Sequence, residues 1–113
     1  MEEVDKAALL LAEAIKNSEE YKSYIKYREE IMKNPTLYCA VNELRRDNFA
    51  LQNQSTDIDM YDEVCRIYEK YAYIRTVPVV NKFLRAELSL ARMVQNVLKI
   101  TLKDIDFDTG FLD

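Results

Sequence analysis

From Met1 to Thr109 the chain contains no glycine, and its only glycine is Gly110. Its prolines are Pro35 and Pro78. Strands must be joined by turns, and turns draw on glycine and proline for backbone conformations that other residues resist. A chain so poor in both is therefore expected to be all-α. Its 113 residues are enough for one domain with one core. Hydrophobic residues make up 49% and charged residues 32%, a mixture of a folded helical protein and not of a disordered one.

Missing residue types limit the chemistry as strongly. There is no histidine. That removes Ser/His and Cys/His nucleophile pairs, Glu-x-x-His di-iron sites and imidazole-bound zinc. Without glycine before residue 110 neither a phosphate-cradling loop nor a dinucleotide fingerprint exists. Cys39 and Cys65 are too few to complete a four-thiolate metal or iron–sulfur site. They read as two free thiols in a reducing compartment, with a disulfide as the alternative. No catalytic, cofactor-binding or metal residue is assigned. The N-terminus MEEVDK is acidic and unlike a signal peptide. The apolar run AALLLA is far short of the ~20 residues of a membrane span, so a cytoplasmic protein is expected. A net charge of -4 disfavours general nucleic-acid binding.

Five helical pieces follow from periodicity and stop signals. The first runs from about Asp5 to Lys16, with Leu10, Leu11, Ala14 and Ile15 on its apolar side. Asn17-Ser18 interrupts it, as a turn or a kink, and Ser18 is a good N-cap for a second helix reaching about Lys33. Asn34-Pro35 stops that helix and starts a third, to about Gln54, with a stripe of Leu37, Val41, Leu44 and Leu51. Residues 54–59, QSTDID, read as a polar loop. A fourth helix spans about Met60 to Ile74, its apolar face assigned to Tyr61, Val64, Cys65, Tyr68, Tyr71 and Ala72. Asp57, Asp59, Asp62 and Glu63 lack the glycine and spacing of a calcium loop and read as helix capping at that helix's start. Thr76-Val77-Pro78 breaks the pattern, and a long final helix covers about Val79 to Asp104.

The final helix most directly implies self-association. At ~100° per residue, Val80, Leu84, Ala91, Val94, Leu98 and Ile105 fall on one line; Phe83, Ala86, Leu90, Met93, Val97 and Ile100 fall on a second beside it. A surface helix usually buries a stripe little wider than ~100°, so this wider face points to two neighbours. Residues 79–104 would span ~39 Å, longer than the ~34 Å diameter of a compact globule of this size. The expectation is a helical bundle of about five helices that dimerises through helix packing. Val80, Leu84, Ala91, Val94, Leu98, Phe83, Leu90 and Val97 are the candidate self-association residues. Glu87 interrupts the first line, and Arg45 on the third helix is its candidate partner in a structural pair. Tyr38, Arg45, Arg46 and Phe49 form the candidate surface for other partners, and Tyr24 and Tyr27 are further interface candidates. Lys82, Arg85, Arg92, Lys99 and Lys103 line a basic side that offers an alternative reading, an RNA-binding module.

LAEAIKNSEEYKSYIKYREEI (residues 11–31), the Glu43-Leu44-Arg45 step followed by a polar helix to Gln52, and VVNKFLRAELSLARMVQNVLKI (residues 79–100) together resemble the YlbF/YmcA/YheA family of small bacterial helical regulatory proteins. The likeness covers nearly the whole chain, as a single YlbF-like domain over residues 1–113. It implies an all-α fold that self-associates and has no enzymatic activity. It also implies a regulatory adaptor working through protein–protein contacts. YlbF and YmcA associate with each other and with YaaT, and influence RNase Y-dependent RNA processing and the development of competence, sporulation and biofilm. In the family, Arg45 and Glu87 fall at recurring positions. YlbF and YmcA are associated with iron–sulfur clusters through cysteines near their C-termini; the tail DIDFDTGFLD has none, and no cofactor is expected here.

Overall fold

The computed structural model describes residues 2–53 and 60–112. The expected loop over residues 54–59 lies outside the described residues. Among them there are six α-helices and no strand: α1 (Glu3–Lys16), α2 (Glu19–Met32), α3 (Pro35–Gln52), α4 (Met60–Lys70), α5 (Ala72–Arg75) and α6 (Pro78–Leu102). A tail follows α6 and ends in a single 3-10 turn, Gly110–Leu112.

The boundaries are set by local chemistry. Ser18 is extended (φ -73°, ψ 153°), so the break between α1 and α2 is a true turn and not a kink. Its hydroxyl accepts from the Tyr21 N–H at 3.2 Å and donates to the Ile15 carbonyl at 2.6 Å, capping one helix and closing the other. Asn34 caps α3 through the Leu37 N–H at 3.2 Å, with Pro35 in the first turn. Pro78 opens α6 in the same way, and the Asn81 side-chain amide donates to the Arg75 carbonyl at 2.8 Å, tying α6 to the end of α5.

The expected fourth helix divides at Tyr71, which leaves helical geometry (φ -107°, ψ 15°) as its ring enters the core. Its assigned apolar face needs correction. Ile67, Tyr71 and Ile74 are buried, whereas Tyr61, Val64, Tyr68 and Ala72 are exposed and Cys65 is half-buried. The helix carries two apolar stripes, and α3 covers the one led by Ile67.

One cluster holds the chain together: Ile31 from α2, Val41 and Leu44 from α3, Ile67 from α4, Tyr71 and Ile74, and Val80 and Phe83 from α6. Tyr24, Tyr27, Leu37, Tyr38 and Leu51 pack around it. The cluster joins the C-terminal end of α2 to the N-terminal end of α6, so these two helices run antiparallel. It therefore lies at one end of α6, and no residue of α6 beyond Ala86 is buried. Helix α1 buries none of its residues either. The result is an extended molecule of 48 × 39 × 18 Å with a radius of gyration of 18.2 Å, against ~13 Å for a compact chain of this length.

Candidate functional site

Helix α6 has two halves with different surroundings. In the first, Val80 and Phe83 are 0% and 2% exposed, inside the chain's own core. These two are therefore not available for self-association, which corrects their assignment to that surface. Leu84, Leu90 and Val97 are half-buried, and Ala91, Val94 and Leu98 are exposed. In the second half the open side is a regular seam. Leu84, Leu88, Ala91, Gln95, Leu98 and Leu102 alternate spacings of four and three residues, the heptad pattern of a coiled coil. Leu88, Leu98 and Leu102 are 50%, 54% and 46% exposed. Ile105, three residues further on, continues the seam into the tail and is 50% exposed. Sequence reasoning drew the apolar lines through Val94 and missed Leu88 and Leu102. The signal was present as the strict four-three spacing, but only the position of the core end shows which stripe is left uncovered.

A polar latch lies beside the start of the seam. Arg45 Nη2 on α3 lies 2.6 Å from Glu87 Oε2 on α6. Both side chains are about one-third exposed (33% each), so Glu87 reaches water and is not a buried charge. Arg45 also donates to Asn42 Oδ1 at 3.0 Å, and its guanidinium lies 5.3 Å from the centre of the Phe83 ring. The pair links α3 to α6 at a water-exposed edge, and screening keeps its contribution to stability small. Arg45, Arg46, Asn48, Phe49, Gln52 and Glu87 line a shallow groove there. Phe49 and Arg46 are exposed, whereas Tyr38 is half-buried against the core and presents little surface to a partner.

A second latch, absent from the sequence reading, joins α3 to the α4–α5 corner. The Tyr71 hydroxyl donates to Asp47 Oδ2 at 2.5 Å, and Lys70 Nζ reaches the same oxygen at 3.1 Å. The Tyr71 hydrogen bond, and then Lys70, hold the Asp47 carboxyl below its ordinary pKa. Burial, followed by the bond to Asp47, raises the Tyr71 phenol above its own. No signal in sequence spacing links positions 24 residues apart.

The basic side of α6 is exposed throughout, at Lys82, Arg85, Arg92, Lys99 and Lys103. Among the described residues no ion pair reaches any of them. Glu19 and Glu20 share a groove with Lys82 and Arg85. Cys39 is exposed and Cys65 half-buried, both as free thiols. Among the described residues no group of three or more His, Cys, Asp or Glu side chains is placed to hold a metal ion. Two thiols on separate helices and a tail without cysteine do not fit an iron–sulfur cluster. No helix among the described residues is long and apolar enough to cross a membrane.

Residues 4–106 match the family described as "Control of competence regulator ComK, YlbF/YmcA". A curated UPF0342 protein of Caldicellulosiruptor bescii is 28% identical over 122 aligned positions, which cover 100% of this chain and 99% of the relative. No solved structure matches the chain. With its six helices, its long exposed α6 and a family match spanning nearly the full length, the chain belongs to the YlbF/YmcA family of regulatory proteins.

Proposed function

We propose that this chain is a non-enzymatic cytoplasmic adaptor, a single domain that regulates by holding other proteins and associates with itself through the second half of α6. The observation that carries the reading is the uncovered seam. Sixteen residues of α6, 87–102, follow the last buried position, and Leu88, Leu98 and Leu102 stand on their open side. A monomer gains nothing from such a stripe, and large exposed apolar patches mark interaction surfaces. Half-covered leucines contribute about 1 kcal/mol each when the remaining area is buried. Leu88, Leu98, Leu102 and, at similar size, Ile105 on two copies then give roughly 8 kcal/mol, inside the ~4–15 kcal/mol cost of association. The seam alone sits near break-even, so neighbouring surfaces must add to it.

The family membership supports a regulatory role, and the resemblance to YlbF and YmcA extends it to partners: YlbF-, YmcA- or YaaT-like proteins and RNase Y, with competence, sporulation or biofilm development as the output. The exposed Arg46 and Phe49 beside the Arg45–Glu87 latch form the partner surface. The test is binding of purified RNase Y and YaaT-like protein to the wild-type chain and to Phe49→Ala with Arg46→Glu. Micromolar binding lost in the variant supports the adaptor. No binding by the wild type overturns this choice of partners.

Lys82, Arg85, Arg92 and Lys99 of α6, with Lys103 just after it, are exposed and in no ion pair among the described residues, which favours a second reading, an RNA-binding module. It predicts RNA affinity that falls steeply with salt, by roughly one power of salt concentration per phosphate contacted. Absence of RNA binding at about 50 mM salt removes it.

A further inference from the structure

We infer that the two copies pair antiparallel along the α6 seam and that the acidic tail of each crosses onto the basic flank of the other. This rests on the self-association proposed above and adds its direction, its register and a role for the tail.

The tail is unsatisfied in the single chain. Ile105, Phe107, Phe111 and Leu112 are 50%, 63%, 82% and 72% exposed, interleaved with Asp104, Asp106 and Asp108. Apolar and acidic residues in alternation call for a surface that is apolar beside basic. The α6 seam has such a flank: Arg85, Arg92 and Lys99 each stand one residue past a seam position, in a row, and all are exposed. A parallel pair would set the three acidic residues of one tail beside the same three of the other. An antiparallel pair sets them against cations.

Seam geometry then fixes the register. In an antiparallel coiled coil each first-type seam position meets one of the second type. Leu88 then meets the partner's Ile105, Ala91 the partner's Leu102, and Gln95 the partner's Leu98. The alternative, one heptad lower, would push residue 99 against position 87, where Arg45 and α3 already lie. The chosen register leaves that latch clear, and Leu102, where α6 ends, is its last helical seam position. It also brings Asp104 beside the partner's Ser89 and carries the rest of the tail, with Asp106 and Asp108, along the side that holds Arg85 and Arg92. Pairing brings Arg92 and Lys99 of the two copies along one edge, and the acidic tail offsets that like charge. Glu19 and Glu20 contribute to the same neutralisation, since they line the groove that holds Arg85.

The experiment is disulfide trapping in the full chain with Cys39→Ala and Cys65→Ala, adding Leu88→Cys together with Ile105→Cys. Within one chain these positions cannot meet. From 88 to 102 the helix advances ~21 Å, and three residues turning back recover at most ~10 Å. The remaining ~11 Å exceeds the ~7 Å limit for a disulfide. Mild oxidation should convert most of the double variant to covalent dimer. Ile105→Cys alone should give little, because the two tails leave opposite ends of the paired helices, ~16 Å apart at residue 102. Asp104→Lys, Asp106→Lys and Asp108→Lys together should weaken association roughly tenfold, and Arg85→Glu with Arg92→Glu should restore it. A dimer in solution that fails to trap through 88 and 105, or that traps equally through 105 alone, overturns the antiparallel crossing and leaves self-association standing. A tail reversal without effect overturns the role given to the tail. A wild-type chain that stays monomeric at about 100 µM overturns this inference together with the self-association beneath it.

Discussion

Replacing Tyr71 by phenylalanine removes one oxygen from a ring that is 1% exposed and leaves the packing around Ile67, Ile74 and Val41 unchanged. That oxygen donates to Asp47 Oδ2 at 2.5 Å. A hydrogen bond to a charged group contributes ~1.5–3 kcal/mol. The lower end applies, because Asp47 keeps Lys70 at 3.1 Å and its side chain is 28% exposed to water. The loss should be about 1.5 kcal/mol at pH 7, a fall in Tm of roughly 6–9 °C for a chain of this length. The pH dependence follows from the sign of the shift. The folded Asp47 carboxyl titrates below its unfolded value, first through Tyr71 and then through Lys70. Its contribution is therefore present above the unfolded pKa of ~3.9 and is lost as pH falls through the folded value. Urea titrations of both proteins at pH 7 and again below pH 3 give the test. The midpoints should separate at pH 7, with unchanged m-values, and draw together in acid. Equal midpoints at pH 7, or a gap of the same size at both pH values, would refute the assignment of this latch.

Glu87→Leu should cost less than about 1 kcal/mol, since both partners are one-third exposed and Arg45 retains Asn42 and the Phe83 ring; a loss above ~2 kcal/mol in thermal melts would show a buried charge instead. Ser18→Ala removes the cap of α2 and should lower stability by ~1 kcal/mol, read as a shifted urea midpoint. Val94→Glu places a charge at a position 38% exposed on the flank of the seam. Its circular dichroism should match the wild type while its sedimentation coefficient falls to that of a monomer.

The stops at Ser18, Asn34-Pro35 and Pro78 were legible because each rests on a local group: a hydroxyl, an amide and two pyrrolidine rings. So was the helical class, dictated by the near-absence of glycine. Two features were not legible, for one reason. Helix α4 has apolar stripes on two sides, and tyrosine tolerates water well enough that Tyr61 and Tyr68 carry no mark of exposure. Only the position of Val41 and Leu44 on α3 selects Ile67 for the core. Likewise the wide face of α6 did not show how its covered and open parts divide along its length. Val80, Phe83 and Ala86 are buried in the chain's own core, Leu90, Met93 and Val97 are half-buried, and Leu88, Leu98 and Leu102 stay open. The seam followed once the core had been located at one end.

Sedimentation equilibrium of the full wild-type chain between about 1 and 100 µM tests the central claim most directly. The mass should approach twice the 13.3 kDa of one chain as concentration rises, and return to 13.3 kDa with Leu98→Glu at unchanged helicity. A wild-type mass of 13.3 kDa across the whole range would contradict it.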